Sequence, residues 1–279
     1  MTSAPTLAAG QLDRIAPGVQ RLVAPNGGLM TGAGTNTYIL GARQFIVLDP
    51  GPADETHIRR IVEITQGRIA AIVATHTHRD HSPAAWPLAL ATRAAVLGAT
   101  IMDDGHQDLS FRPTCELGEG DRITIEDSRL RVIATPGHVA NHLCLLLEEQ
   151  GLLFTGDHLN QGTTVVIIPP SGNMSQYLHS LRKLQIEPVA RIAPGHGHVI
   201  DDAQREITCI INHRLQREIK VLDCLHRLQP VLLEDLLLAV YNDVSPRLHG
   251  LAKSSLLAHL LKLAEEGAAI HAPEGTWRV

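Results

Sequence analysis

The sequence predicts an α+β protein, with short strands and helices in packed layers followed by a small helix-rich unit. Three observations carry this. Apolar runs of strand length alternate with a helical pattern over the first third of the chain, as layered packing requires. Residues 129–168 read as nearly all strand. Beyond Asp201 the apolar residues recur at helical spacing instead.

In chain order, residues 37–40 and 45–48 read as strands joined through Gly41, and Asp49-Pro50-Gly51-Pro52 breaks the second. Ile58, Ile61, Val62 and Ile64 give residues 57–66 a helical stripe, capped by Gly67. Ala71, Ile72, Val73 and Ala74 form a strand that stops at Thr75. A helix over 86–97 and a strand at 122–125 follow, then strands at 130–135, 142–147, 151–155, 164–168 and 189–193. Ile207, Ile210, Ile211, Leu215, Ile219, Leu222 and Leu225 mark one face of a long helix over 201–228, ended by Pro230. Helices at 233–241 and 251–266 precede two short strands, 269–271 and 276–279, that pair across Pro273, Glu274 and Gly275. Three helices and a terminal hairpin have the outline of a winged helix. The expected division is therefore a larger domain over 1–204 and a smaller one over 205–279.

The most informative stretch is THTHRDH, residues 75–81, at the end of the apolar strand. His76 and His78 lie two apart, so in extended backbone both imidazoles point to one side and can grip one ion. Asp80 and His81 follow at once. Ser82 and Pro83 read as the N-cap and first residue of a helix, which turns the chain just after His81. Three later strands end the same way: Pro136-Gly137 before His138, Gly156 before Asp157, and Pro194-Gly195 before His196. Together these strand ends supply five imidazoles and two carboxylates, the ligand count of two ions. His142 reads as a supporting residue, because His138 already ends the preceding strand. His158 and His198 sit beside ligands and read as supporting residues too, with protonation of a leaving group as the alternative.

THTHRDH, TPGH, TGD and APGHG, in this order, resemble the metallo-β-lactamase superfamily of hydrolases from about Asn36 to Ile200. The resemblance implies a four-layer αββα sandwich with the metals at one end of its two sheets. It implies that His76, His78 and His138 hold one metal, that Asp80, His81 and His196 hold the other, and that Asp157 bridges them. NTYIL, GTTVVIIPPSGNMSQYLHSL and AKSSLLAHLLKLAEEG extend it over nearly the whole chain, toward the lactamase-beta-like branch. Animal members of that branch include a mitochondrial endoribonuclease acting on single-stranded RNA; other members cleave thioesters in polyketide pathways.

Two divalent ions sharing a hydroxide would give a nucleophile at neutral pH without a serine or cysteine. The expected activity is thus dinuclear hydrolysis of an ester-like bond, with Asp80 both ligating and orienting the attacking oxygen. The resemblance points to a phosphodiester of single-stranded RNA; a thioester or lactone is the alternative, and a mononuclear iron persulfide dioxygenase a more remote one. Two Zn2+ suit this donor set, with Fe or Mn also compatible.

Composition narrows the partners. The 279 residues are 44% hydrophobic and 19% charged, enough apolar content for a full core. No run approaches the roughly 18 apolar residues of a membrane helix. The first residues lack a basic start and an apolar segment, so no signal peptide is read and a cytoplasmic location is expected. Cys115, Cys144, Cys209 and Cys224 are scattered and read as buried core residues, not as a disulfide framework. Residues 205–279 hold nine basic and nine acidic side chains, and the whole chain has a net charge of −5. A duplex reader needs a basic excess, so duplex DNA is excluded and the appendage reads as a wall, a lid or a homodimer contact.

Overall fold

The structure, a computed structural model, describes residues 6–279. The chain divides into two compact units. The first comprises the described residues up to Thr135 together with 141–163 and 188–203; the second comprises 136–140, 164–187 and 204–279.

In the first unit, strands β1 (Leu12–Ala16), β2 (Val19–Val23), β3 (Asn36–Gly41) and β4 (Phe45–Leu48) form an antiparallel meander. Helix α1 (Glu55–Thr65) leads to β5 (Ile69–Val73), and helix α2 (Ala85–Thr92) to β6 (Ala95–Gly98) and β7 (Cys115–Glu116). From β4 onward neighbouring strands of this seven-stranded sheet run parallel, in sequence order throughout. The second sheet holds β8 (Arg122–Ile125), β9 (Ser128–Ala134), β10 (Leu143–Leu147), β11 (Leu152–Gly156) and β12 (Arg191–Pro194), with only β11 and β12 parallel.

Alternation along each strand builds two cores. Leu40, Ile46, Leu48 and Val73 of the first sheet share one apolar cluster with Leu130, Val132, Leu145 and Phe154 of the second. Tyr38 meets Phe154 edge to face at 5.0 Å within it. Val47, Ile72 and Ala74, one residue out of phase, join Ile61 of α1 and Leu88 of α2 in the other. Each such fully buried aliphatic contributes roughly 1.5–3 kcal/mol. A bulge sets the phase: Phe45 pairs with Ile69 but Ile46 with Ala71, so Ala70 is the extra residue. The two sheets therefore fix where β5 points its last residues before the histidine-rich loop.

The second unit contains α3 (Met174–Gln185), α4 (Ala203–Leu228, from Gln204 onward), α5 (Leu233–Val240), α6 (His249–Glu265) and the hairpin β13 (Ile270–His271) with β14 (Trp277–Arg278). Val221, Leu225, Leu236, Val240, Leu256, Leu260 and Trp277 form its core, so the expected helices and hairpin pack as a winged helix.

The local differences from expectation have physical reasons. α2 stops at Thr92, where Arg93 turns left-handed at φ 61°, and Ala95–Gly98 pairs with β5 as a strand. Thr92 and Arg93 are the only polar residues in the apolar run over both elements, too short a break to announce that change. Ser82 does not cap α2; its hydroxyl donates to Asp108 Oδ2 at 2.7 Å, and Ala84 is the N-cap. Residues 164–168 join neither sheet, and β1 and β2 are strands that the sequence reading left unassigned. Ile219 on the long helix is exposed. Cys144 and Cys224 are buried as expected, whereas Cys115 and Cys209 are exposed. Among the described residues no helix is long and apolar enough to cross a membrane.

Candidate metal centre

Each of the seven candidate ligands follows the C-terminal end of a strand: His76, His78, Asp80 and His81 after β5, His138 after β9, Asp157 after β11 and His196 after β12. Among the described residues their donor atoms converge in two groups. His76 and His78 lie together in one; Asp80, His81, Asp157 and His196 form the other, with the ligand atoms of each group within 4.8 Å of one another. The rings of His76 and His78 are 4.6 Å apart, and those of His76 and His81 4.2 Å.

Hydrogen bonds fix the orientation of the rings. His81 Nδ1 lies 3.0 Å from Asp49 Oδ2; a carboxylate only accepts, so Nδ1 carries a proton and Nε2 is the nitrogen turned toward the carboxylates of Asp80 and Asp157. Thr75 donates its hydroxyl to Asp49 Oδ2 at 2.9 Å, so its oxygen accepts from His76 Nδ1 at 3.0 Å. His138 Nδ1 donates to the Val166 carbonyl at 2.8 Å, and His196 Nδ1 to the Gly34 carbonyl at 3.2 Å. In four of the five histidines the Nδ1 proton is thus committed, so Nε2 is the nitrogen that could ligate a metal. His81 Nε2 is buried without a hydrogen bond and stands 3.4 Å from Asp80 Oδ2 and 3.5 Å from Asp157 Oδ1. Such a donor set, buried imidazole nitrogens facing carboxylate oxygens, fits a divalent cation.

Electrostatics agree. Burial alone would push His81 down, but the charges of Asp80, Asp49 and Asp157 hold it well above the usual imidazole range. Burial likewise opposes charge on His196, yet Asp157 and Asp80 push it up to about 10. Burial would raise the two carboxyls, and the adjoining imidazoles hold both Asp80 and Asp157 far below the ordinary range. His76 goes the other way: burial first, then the neighbouring His81 and His78, push it well down, as suits a neutral ligand. The second group thus concentrates negative charge that protons balance and that a cation could balance in their place.

Two supporting residues escaped the sequence reading. Asp49, read only as a strand breaker, accepts from the Thr75 backbone N–H at 2.7 Å as well as from His81. Its signal was present: it ends β4 as the other acidic and imidazole groups end their strands. Asn160 donates to Asp157 Oδ1 and accepts from the His196 backbone N–H, both at 3.0 Å, and no local pattern marks it. Gly156 lies at φ 44°, and a Cβ there would meet Thr75 Oγ1 at 2.3 Å, so only glycine lets β11 pass so close. His142 supports from beside these groups: Thr135 Oγ1 is 2.8 Å from its Nδ1, and its Nε2 accepts from the Asp157 N–H at 3.2 Å. His158 and His198 join neither group.

Residues 30–196 match the metallo-beta-lactamase superfamily. The chain belongs to this superfamily. A beta-lactamase-associated winged helix domain matches residues 233–277 of this metallo-β-lactamase relative. The chain is 32% identical over 277 residues to the beta-lactamase-like protein 2 homolog of Drosophila melanogaster, covering 91% of this chain and 90% of that protein. It is 32% identical over 224 residues to an atrochrysone carboxyl ACP thioesterase of Aspergillus fumigatus, covering 78% of this chain and 68% of the relative. A beta-lactamase domain protein from Burkholderia ambifaria shares the fold, with a TM-score of 0.80 over 99% of this chain and 95% of its own at 21% identity. The fold class is the expected α+β metallo-β-lactamase sandwich with a C-terminal winged helix.

Proposed function

We propose that this chain is a dinuclear zinc hydrolase that cleaves an acyl thioester. The observation that carries the reading is the commitment of Nδ1 on His76, His81, His138 and His196, which leaves one ligating nitrogen on each. His76, His78 and His138 would hold one ion; Asp80, His81 and His196 would hold the other, and Asp157 would stand between them. Bound there, divalent zinc would polarise a carbonyl oxygen and bring the pKa of water close to neutrality.

The chain's own groups do the remaining work. Asp80 is the most exposed member of the four-residue group, with 27% of its side chain accessible against 15% for Asp157 and none for His81. That exposure supports the reading that its carboxylate would orient an attacking water. Asp49 and Asn160 hold His81 and Asp157 in place, so the donors need no rearrangement when substrate arrives.

For the substrate class, support comes from the thioesterase relative and from charge. A polyphosphate strand is held by neutralising its phosphates, and a chain at net charge −5 with no basic excess over 205–279 is poorly suited to that. The test is to load the full chain with zinc and offer an acyl-pantetheine thioester and a single-stranded RNA in parallel. Release of free thiol with intact RNA is the expected result. Cleavage of RNA with the thioester untouched would overturn the thioester reading.

A further inference from the structure

We infer that Arg214, on the long helix α4, is a positioning residue for His138. This rests on the reading of His138 as a ligand and adds to it a residue far along the chain. Arg214 is buried, with 3% exposure, and its guanidinium Nη2 donates to the Val165 carbonyl. The next carbonyl, of Val166, takes the His138 Nδ1 proton. Residues 164–168 belong to no sheet, so no strand ladder holds the carbonyl that orients the imidazole. Arg214 supplies a fixed donor there instead.

The other side of the loop is held as firmly. Asn173 N–H donates to the Gly137 carbonyl at 2.8 Å, and Ser180 Oγ donates to the Pro136 carbonyl at 2.8 Å. Gly137 sits at φ 145° with Tyr177 so close that a Cβ would meet its Cα at 2.3 Å. The Arg214 guanidinium lies over the ring of the same Tyr177, 5.3 Å from its centroid. One buried cation therefore touches both walls of the His138 loop, the 165–166 backbone and Tyr177.

Stability alone does not account for an arginine there. Its Nε is buried without a hydrogen-bond partner, and burying a guanidinium with a donor unmet is costly. An apolar side chain of similar length would suit a purely structural role as well or better. What only the guanidinium offers is a rigid planar donor that also stacks on a ring.

The experiment is calorimetric titration of the metal-free full chain with Zn2+, on the wild type, His138→Ala, Arg214→Met, Arg214→Lys and Arg217→Met. Arg217 lies on the same helix but pairs with Asp243 and Val240, so its loss controls for general weakening of the helix. The wild type should take two equivalents and His138→Ala should lose one. Arg214→Met should weaken that same equivalent about 10- to 100-fold, the usual effect of removing a group that orients a metal ligand. The other equivalent and the Arg217→Met profile should stay unchanged, and Arg214→Lys should fall between wild type and Arg214→Met. If Arg214→Met does not fold, Arg214→Lys with wild-type affinities at both sites overturns the inference. Folded Arg214→Met with two unaltered equivalents overturns it as well, while full zinc binding by His138→Ala would instead remove the reading of His138 as a ligand.

Discussion

His81 donates its Nδ1 proton to Asp49 Oδ2 at 3.0 Å, in a pair in which both side chains are almost wholly shielded from water. The aspartate stands at the end of β4 and the histidine in the loop after β5, so adjacent parallel strands set the distance between them. Asp49→Asn keeps the shape but replaces an acceptor oxygen by an NH2 donor. One of the His81 and Thr75 bonds must then fail. Zinc affinity should fall about 10- to 100-fold, read by competition with a chromophoric chelator, while the circular dichroism spectrum stays that of the wild type. Unaltered affinity would show that Asp49 serves the fold alone.

Gln107 holds the residue between His76 and His78. Its Oε1 accepts from Thr77 Oγ1 at 2.5 Å, and its Nε2 donates to Asp104. Thr77 Oγ1 in turn accepts from Asn141 Nδ2 at 2.9 Å. Gln107→Leu strands a buried hydroxyl donor, at a cost of roughly 1–3 kcal/mol. Urea denaturation should show that loss as a lower midpoint at unchanged slope; a midpoint equal to the wild type would mean that the loop around residue 107 adds nothing to the histidine loop.

Gly156→Ala places a methyl against Thr75 where no space exists and keeps a left-handed backbone that alanine disfavours. The backbone strain alone costs roughly 1–3 kcal/mol, and displacement of Thr75 would disturb its bonds to both Asp49 and His76. Lower melting temperature together with reduced zinc content is the expected outcome. A drop in melting temperature with full zinc content would separate packing from metal binding at this position.

Glu218 gives the winged-helix unit a pH dependence. Burial would raise its carboxyl, but hydrogen bonds from His259 and from Lys262, the latter at 2.8 Å, hold it below the ordinary range. A carboxyl with a depressed folded-state pKa binds fewer protons folded than unfolded, so its contribution is complete above its unfolded pKa of about 4.3. It is lost as the pH falls through the folded value. Glu218→Gln should therefore be less stable than the wild type at pH 7, and the gap should narrow once the pH drops below about 4. A gap of constant size across that range would show that the charge of Glu218 is not what stabilises this unit.

Much of this site was legible because the same local arrangement recurs. A run of apolar residues ending in glycine or threonine and then a histidine or aspartate marks β5, β9, β11 and β12, and the candidates after β5, β11 and β12 fall into the two groups. Periodicity located α1 and α4, where apolar residues recur along one face. It failed over residues 86–97, where apolar residues on both sides of Arg93 hide a helix giving way to a strand. It also failed at 164–168, whose β-branched residues read as a strand although the segment braces His138 through a carbonyl. Asn160 and Arg214 had no local signature at all. Their roles depend on backbone atoms brought near by the fold, and a side chain that bonds a distant carbonyl leaves no spacing pattern in the sequence.

The most direct measurement of the central claim is the metal content of the folded full chain, by native mass spectrometry of zinc-loaded wild type beside His76→Ala and His196→Ala. Two zinc ions on the wild type and one on each variant are expected, since a four-coordinate site missing a ligand binds far more weakly. A wild type that retains no ion, or variants that retain both, would contradict it.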